Sequence, residues 1–99
     1  MKDLLLGIDF GTGGCKITAL DTCGHFAGEA SEEYPTEHAY PGWSEQIPED
    51  WYSAMCRALQ KLEQNGVDLN RVLSISFDGS THNAVLLDSQ MKPVRKTIM

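Results

Sequence analysis

The chain has 99 residues, enough for one small domain with a modest core. Fourteen acidic residues against eight Lys and Arg give a net charge of −6, and the scattered basic residues form no face for nucleic acid. The longest apolar run, Leu4 to Ile8, is far short of a membrane span, and Met1-Lys2-Asp3 leads into it without a secretory pattern, so a cytoplasmic protein with no membrane partner is expected.

Leu4-Leu5-Leu6 with Ile8 and Phe10 reads as a buried strand, and Cys15, Ile17 and Ala19 alternating with Lys16, Thr18 and Leu20 read as a second. Between them lies Gly11-Thr12-Gly13-Gly14, with Asp9 before it and Lys16 after it. A tight turn there aims backbone N–H groups into one concavity suited to phosphate oxygens. Glycine permits positive φ and close approach of a ligand. Asp9 is placed to hold Mg²⁺ through water, since that ion keeps much of its hydration shell, and Lys16 to offset phosphate charge. A plain hairpin with an Asp on its rim accounts for the same spacing. Two other phosphate loops are excluded. Cys15 follows Gly14, so no G-x-x-x-x-G-K-[ST] exists, and G-x-G-x-x-G fails at Lys16.

Asp21 to Gly24 reads as a turn, and Phe26 to Tyr34 as the third strand of an antiparallel meander. Cys15, Cys23 and Cys56 are odd in number and form no C-x-x-C, which fits unpaired thiols in a reducing compartment. With His25, His38 and His82 they match no familiar zinc framework. Pro35 to Ile47 reads as a long ordered loop of the kind that is often functional. A helix is predicted from Pro48, with Glu49 and Asp50 favouring the positive end of its dipole. Trp51, Met55, Ala58 or Leu59, and Leu62 mark its buried face, and Asn65-Gly66 ends it as a left-handed cap. Ile47 cannot cap this helix, at a cost of about 1 kcal/mol. Arg71 to Phe77 reads as a strand with Leu73, Ile75 and Phe77 on one face, and Ala84 to Asp88 as another. The six residues Asp78 to Asn83 between them read, on their own, as a polar turn reversed at Asp78-Gly79. The predicted order is βββαββ.

Three of these stretches resemble one family. Asp9-x-Gly11-Thr12-x-Gly14-x-Lys16 is similar to the first phosphate motif of the FGGY carbohydrate kinases, within the actin, Hsp70 and sugar-kinase superfamily. Tyr40-Pro41-Gly42-Trp43-Ser44-Glu45-Gln46, followed by Pro48-Glu49-Asp50-Trp51, resembles that family's PGW-x-EQ-x-P-x-x-W segment. Ile75 to His82, leading into Val85 to Asp88, resembles its first sugar-contact strand and loop. The three occur in the family's order and cover nearly the whole chain.

The resemblance implies a ribonuclease-H-like α/β fold, with residues 1–99 as the N-terminal part of a first domain. The rest of that domain and an ATP-binding second domain would lie outside this chain. It implies ATP-dependent phosphorylation of a sugar, with ATP and Mg²⁺ as cofactors. Asp9 would be important for activity, holding hydrated Mg²⁺, and Gly11, Thr12, Gly13, Gly14 and Lys16 would lie at the phosphates. Ser80, Thr81 and His82 would bind the sugar. The catalytic base would lie beyond residue 99, leaving the fragment inactive alone. His82 at the sugar-contact position favours D-xylulose, giving the 5-phosphate. Thr81 stands where the xylulose-kinase branch carries Met, and Asp78-Gly79 resembles the ribulose-kinase branch, so D-ribulose or another polyol stays open. The alternative is a non-enzymatic actin- or Hsp70-like ATP-binding module, against which Pro41-Gly42-Trp43 and Thr81-His82 tell. A homodimer is compatible with either. Trp43 reads as packing its loop against the domain rather than as a sugar platform.

Overall fold

A computed structural model describes residues 1–99. Three strands follow one another: β1 (Leu4–Phe10), β2 (Gly14–Asp21) and β3 (Phe26–Glu33). The predicted alternation holds, with Leu4, Leu6 and Ile8 of β1 and Cys15, Ile17 and Ala19 of β2 buried on one face. β1 pairs antiparallel with β2, setting Ile8 opposite Ile17 and Asp9 opposite Lys16, and β2 pairs antiparallel with β3.

The buried face is covered by α1 (Pro48–Gln64), which packs on β2 and β3. Its seam is Ala54, Ala58 and Leu62, all fully buried, while Trp51, Met55 and Leu59 are only partly buried beside it. Small side chains at Ala54 and Ala58 let the helix approach the sheet, so Trp51, Met55 and Leu59 border the contact while Leu62 fills its far end. Complete burial of Ile17 and Leu62 contributes about 2 kcal/mol each. Ile47 provides no side-chain cap, and Gly66 closes the far end with φ +99°.

A short 3-10 turn, Leu69–Arg71, leads into β5 (Val72–Gly79), which pairs parallel with β1 and completes the sheet order β3-β2-β1-β5. Arg71 clasps Asp3 through two N–H···O contacts of 2.8 and 2.7 Å, tying together the starts of these neighbouring strands. That hydrogen bonding holds the Asp3 carboxyl below its ordinary range. No helix is long and apolar enough to cross a membrane.

Three expectations are corrected. Ala84 to Asp88 forms no strand and makes only isolated bridges, Ala84 with Ile98 and Leu87 with Pro93. The turn expected at Ser89 to Lys92 does form, its Gln90 and Lys92 N–H groups donating to the Asp88 carboxylate, but the segment before it meets its neighbours at single positions and finds no edge for a continuous ladder. The loop at 35–47 contains a short strand, β4 (Glu45–Gln46), antiparallel to β6 (Thr97–Ile98). Finally, none of the turn glycines Gly11, Gly13 and Gly14 has positive φ; the left-handed glycines are Gly24, Gly42 and Gly66.

What the turn needs from glycine is room. A Cβ at Gly14 would lie 2.6 Å from the backbone oxygen of Glu32, whereas one at Gly13 would meet nothing within 4 Å. Gly14→Ala is therefore expected to destabilise the fold by about 1–3 kcal/mol, and Gly13→Ala to leave it unchanged, as read by chemical denaturation of the whole protein.

The register places Ile75 beside Leu6 and Phe77 beside Ile8, on the face that α1 covers over β2 and β3. Over β5 that face is bare, with Ile75 48% and Phe77 62% exposed. Apolar patches of this kind mark contacts still to be made. The 99 residues prepared alone are expected to aggregate or to bind an apolar dye, and a sharp, reversible melting transition from a monomer would contradict this.

Candidate functional site

Because β1 and β5 are parallel neighbours, the loops that follow them leave from one edge of the sheet. Asp9 stands beside Asp78, and Phe10 beside Gly79. Crevices outside the carboxyl ends of parallel strands are where such sheets take ligands. A concavity of about 320 Å³ opens here on the sheet face away from α1, lined by Asp9, Lys16, Thr18, Ser76 and Asp78. Lys16 sits across from Asp9, but its ammonium pairs with Glu29 at 3.4 Å. Both partners of that pair are about half exposed, so it holds Lys16 only weakly. Asp78 is not a turn residue: it belongs to β5, and its carboxylate accepts from the Gly79 N–H at 2.8 Å. Continuing the alternation past Phe77 puts residue 78 on the opposite face of β5, and the pairing with β1 makes that the face of Asp9.

At Gly11 to Gly14 the turn is held from one side. The Gly11 N–H donates to the Gly14 carbonyl at 2.9 Å, and the Tyr34 N–H donates to the Gly13 carbonyl at 3.2 Å. The Tyr34 hydroxyl reaches the carbonyls of Gly11 and Gly14, and the Gln46 side-chain amide donates to the Thr12 carbonyl at 2.6 Å. All four carbonyls are thus satisfied within the chain, while the N–H groups of Thr12 and Gly13 have no partner in it. Burial pushes the Tyr34 phenol above its ordinary pKa, with the nearby Cys15 and Asp9 acting the same way. Tyr34 and Gln46, which bond the turn, and Trp51, which bonds Gln46, carry no local signal of a site, because each is remote in sequence from Gly11 to Gly14.

The loop after β5 holds the other predicted residues. The Ser80 N–H donates to the Phe10 carbonyl at 3.1 Å, which joins this loop to the end of β1. Asn83 donates to the Ser80 hydroxyl at 3.2 Å, and the Thr81 hydroxyl lies 3.0 Å from His82 Nδ1. His82 has φ +64°, uncommon for a residue with a Cβ and a form of local strain that concentrates at functional loops. A cleft of about 170 Å³ connects the two loops and is lined by Gly11, Tyr34, Gln46, Ser80 and Asn83 among others. Ser80 and Asn83 are therefore brought against the turn, whereas Thr81 and His82 lie outside that cleft and are exposed.

Trp43 does not pack on the domain as expected. It is 48% exposed and meets Tyr40 edge to face, with ring centroids 4.9 Å apart. Its neighbour Glu45 is buried and pairs with Arg95, and Glu37 pairs with Lys96, so the chain end is bound back to this loop. The three cysteines are free, and no cluster of three or more His, Cys, Asp or Glu forms a metal centre.

A meander of three strands, a helix on one face and a fourth strand parallel to the first, with a glycine turn at the end of β1, define the ribonuclease-H-like fold of the actin, Hsp70 and sugar-kinase superfamily. The chain belongs to the FGGY family of carbohydrate kinases: residues 4–99 match the N-terminal domain of that family. It is 35% identical over 100 residues to the xylulose kinase of Staphylococcus epidermidis, covering 100% of this chain and 20% of that protein. It is 30% identical over 103 residues to a glycerol kinase of a Marinomonas species, again covering 20% of that protein. Among solved structures, the xyloylose kinase of Brucella ovis superimposes with a TM-score of 0.93 at 32% identity, over 97% of this chain and 20% of that one. The chain thus spans about a fifth of the length of the relatives it matches.

Proposed function

We propose that the whole protein transfers the γ-phosphoryl group of ATP to a hydroxyl of a pentulose, D-xylulose before D-ribulose or another polyol, in the cytoplasm. In this reading residues 1–99 are the N-terminal part of its first domain, and the catalytic base and the adenosine-binding domain belong to the remainder. The observation that carries the reading is the turn with every carbonyl satisfied and two N–H groups left open, at the end of the strand bearing Asp9.

Phosphoryl transfer needs positioning and charge stabilisation more than covalent help from the protein. The Thr12 and Gly13 N–H groups would receive phosphate oxygens, and the open space above Gly13 admits them closely. Lys16 would turn from its exposed partner Glu29 to offset their charge. The Asp9 carboxylate suits a hydrated Mg²⁺, because it is exposed in an open concavity roomy enough for water ligands. Mg²⁺ bound there would neutralise charge on the phosphate oxygens. Thr81 and His82 would hydrogen-bond the sugar, and Ser80 would fix their loop to β1 through its bond to Phe10. A hydroxyl and an imidazole can each donate or accept, which suits a polyol. Support for xylulose comes from the relatives above; support for keeping other polyols comes from Thr81 and from the glycerol kinase among them.

Asp9→Asn in the whole protein is expected to cut turnover strongly while sugar affinity holds, as measured by coupled ATP-consumption assays; unchanged turnover in the folded variant would refute the role of Asp9. His82→Ala is expected to raise the sugar KM and lower kcat/KM by about 2 kcal/mol, roughly 30-fold, with the KM for ATP unmoved. Steady-state kinetics on a panel of pentuloses, pentitols and glycerol checks both points, and best turnover on glycerol would overturn the pentulose assignment.

A further inference from the structure

We infer that Gln46, oriented by Trp51, acts with Tyr34 as a positioning device that keeps the Thr12 and Gly13 N–H groups pointed at the bound phosphates, an inference that rests on the phosphate reading of this turn. Gln46 is 2% exposed in β4, thirty-four residues from the turn. Its Nε2 donates to the Thr12 carbonyl at 2.6 Å and to the Thr36 hydroxyl at 2.9 Å, and its Oε1 accepts from Trp51 Nε1 at 2.9 Å. An indole N–H can only donate, so Trp51 decides which end of the amide faces the turn. The two donors of Gln46 must then face Thr12 and Thr36.

The consequence for the ligand side follows from the planarity of the peptide group. In a trans peptide the C=O and the next residue's N–H point in opposite directions. Holding the Thr12 carbonyl inward therefore holds the Gly13 N–H outward. The Tyr34 hydroxyl does the same one residue earlier, since its bond to the Gly11 carbonyl sets the direction of the Thr12 N–H. The need for such a clamp comes from glycine, because the backbone around Gly13 meets no neighbour within 4 Å of a notional Cβ and glycine imposes little restriction of its own. The spacing of Gln46 and Trp51, two residues before the helix and in its first turn, is what brings amide and indole together. Neither residue touches the phosphates in this arrangement; both act through the turn.

The test uses the whole protein. Gln46→Glu keeps the side-chain shape and an acceptor for Trp51 but sets an oxygen against the Thr12 carbonyl. Gln46→Met fills the same space with no donor, and Trp51→Phe removes the orienting N–H. Each Gln46 variant is expected to raise the KM for ATP about tenfold with the sugar KM unmoved, and Trp51→Phe to shift it less in the same direction. Thermal melting identifies which variants fold; should Gln46→Glu fail to fold, Gln46→Met and Trp51→Phe carry the test. An unchanged KM for ATP in folded Gln46 variants overturns the inference, as does an equal rise in both KM values, which marks general loosening. Gly13→Ala separates the two levels. If it weakens ATP while the Gln46 variants do not, only the positioning role falls; if it leaves ATP binding unchanged, the phosphate reading falls and the inference with it.

Discussion

The parallel pairing of β1 with β5 is the constraint on which the rest depends. Strands that run the same way end at the same edge, so the glycine turn after Phe10 and the polar loop after Gly79 emerge side by side. The pairing also brings Asp78 beside Asp9 on the open face and Phe77 beside Ile8 on the other. An antiparallel partner at this position would have sent the second loop to the opposite end of the sheet. The Asp3–Arg71 clasp reinforces the pairing where the two strands begin, 68 residues apart in the chain but adjacent in space.

A phosphate-binding turn faces an electrostatic conflict, because every peptide that offers an N–H also carries a C=O that repels an anion. In the turn at Gly11 to Gly14 the peptides share one orientation. The carbonyls are turned into the protein and bonded by Tyr34, Gln46 and the turn itself, so the outward side carries mainly positive dipole ends. The close contact of Gly14 with the Glu32 backbone lets β3 lie near enough for Tyr34 to reach back across the turn. Sheet packing and the orientation of the turn meet in that one glycine.

The long segment around β4 braces the glycine turn from a distance in the chain. Its Gln46 braces the turn, its Glu45 anchors Arg95, and its Glu37 anchors Lys96, so the end of the chain is held against the same loop. Trp43 and Tyr40 remain half exposed as an aromatic pair on its outer side.

The local elements were legible because their causes are local. Alternation marked β1, β2 and β3, Pro48 and Gly66 bounded the helix, and the spacing of Asp9, Gly11, Thr12 and Gly14 located the turn. What the sequence could not convey was contact between distant positions. Of the buried seam, Ala58 and Leu62 lie on the expected face, but Ala54 went unread and Trp51 and Met55 are only partly buried, because the closeness of a helix to its sheet depends on small side chains that a pattern of large ones does not reveal. The expected strand at Ala84 to Asp88 failed because alternation describes a face and not the presence of a neighbouring edge, and this segment meets only single bridges. Asp78 was read as a reversal because Asp-Gly favours turns, until pairing with β1 drew it into a strand. The sequence by itself thus determined the family motifs and, with their spacing, the meander, the helix and the position of the glycine turn. Tertiary structure alone decided which way the turn's peptides face, since that direction is set by hydrogen bonds from Tyr34 and Gln46 across 23 and 34 residues of chain.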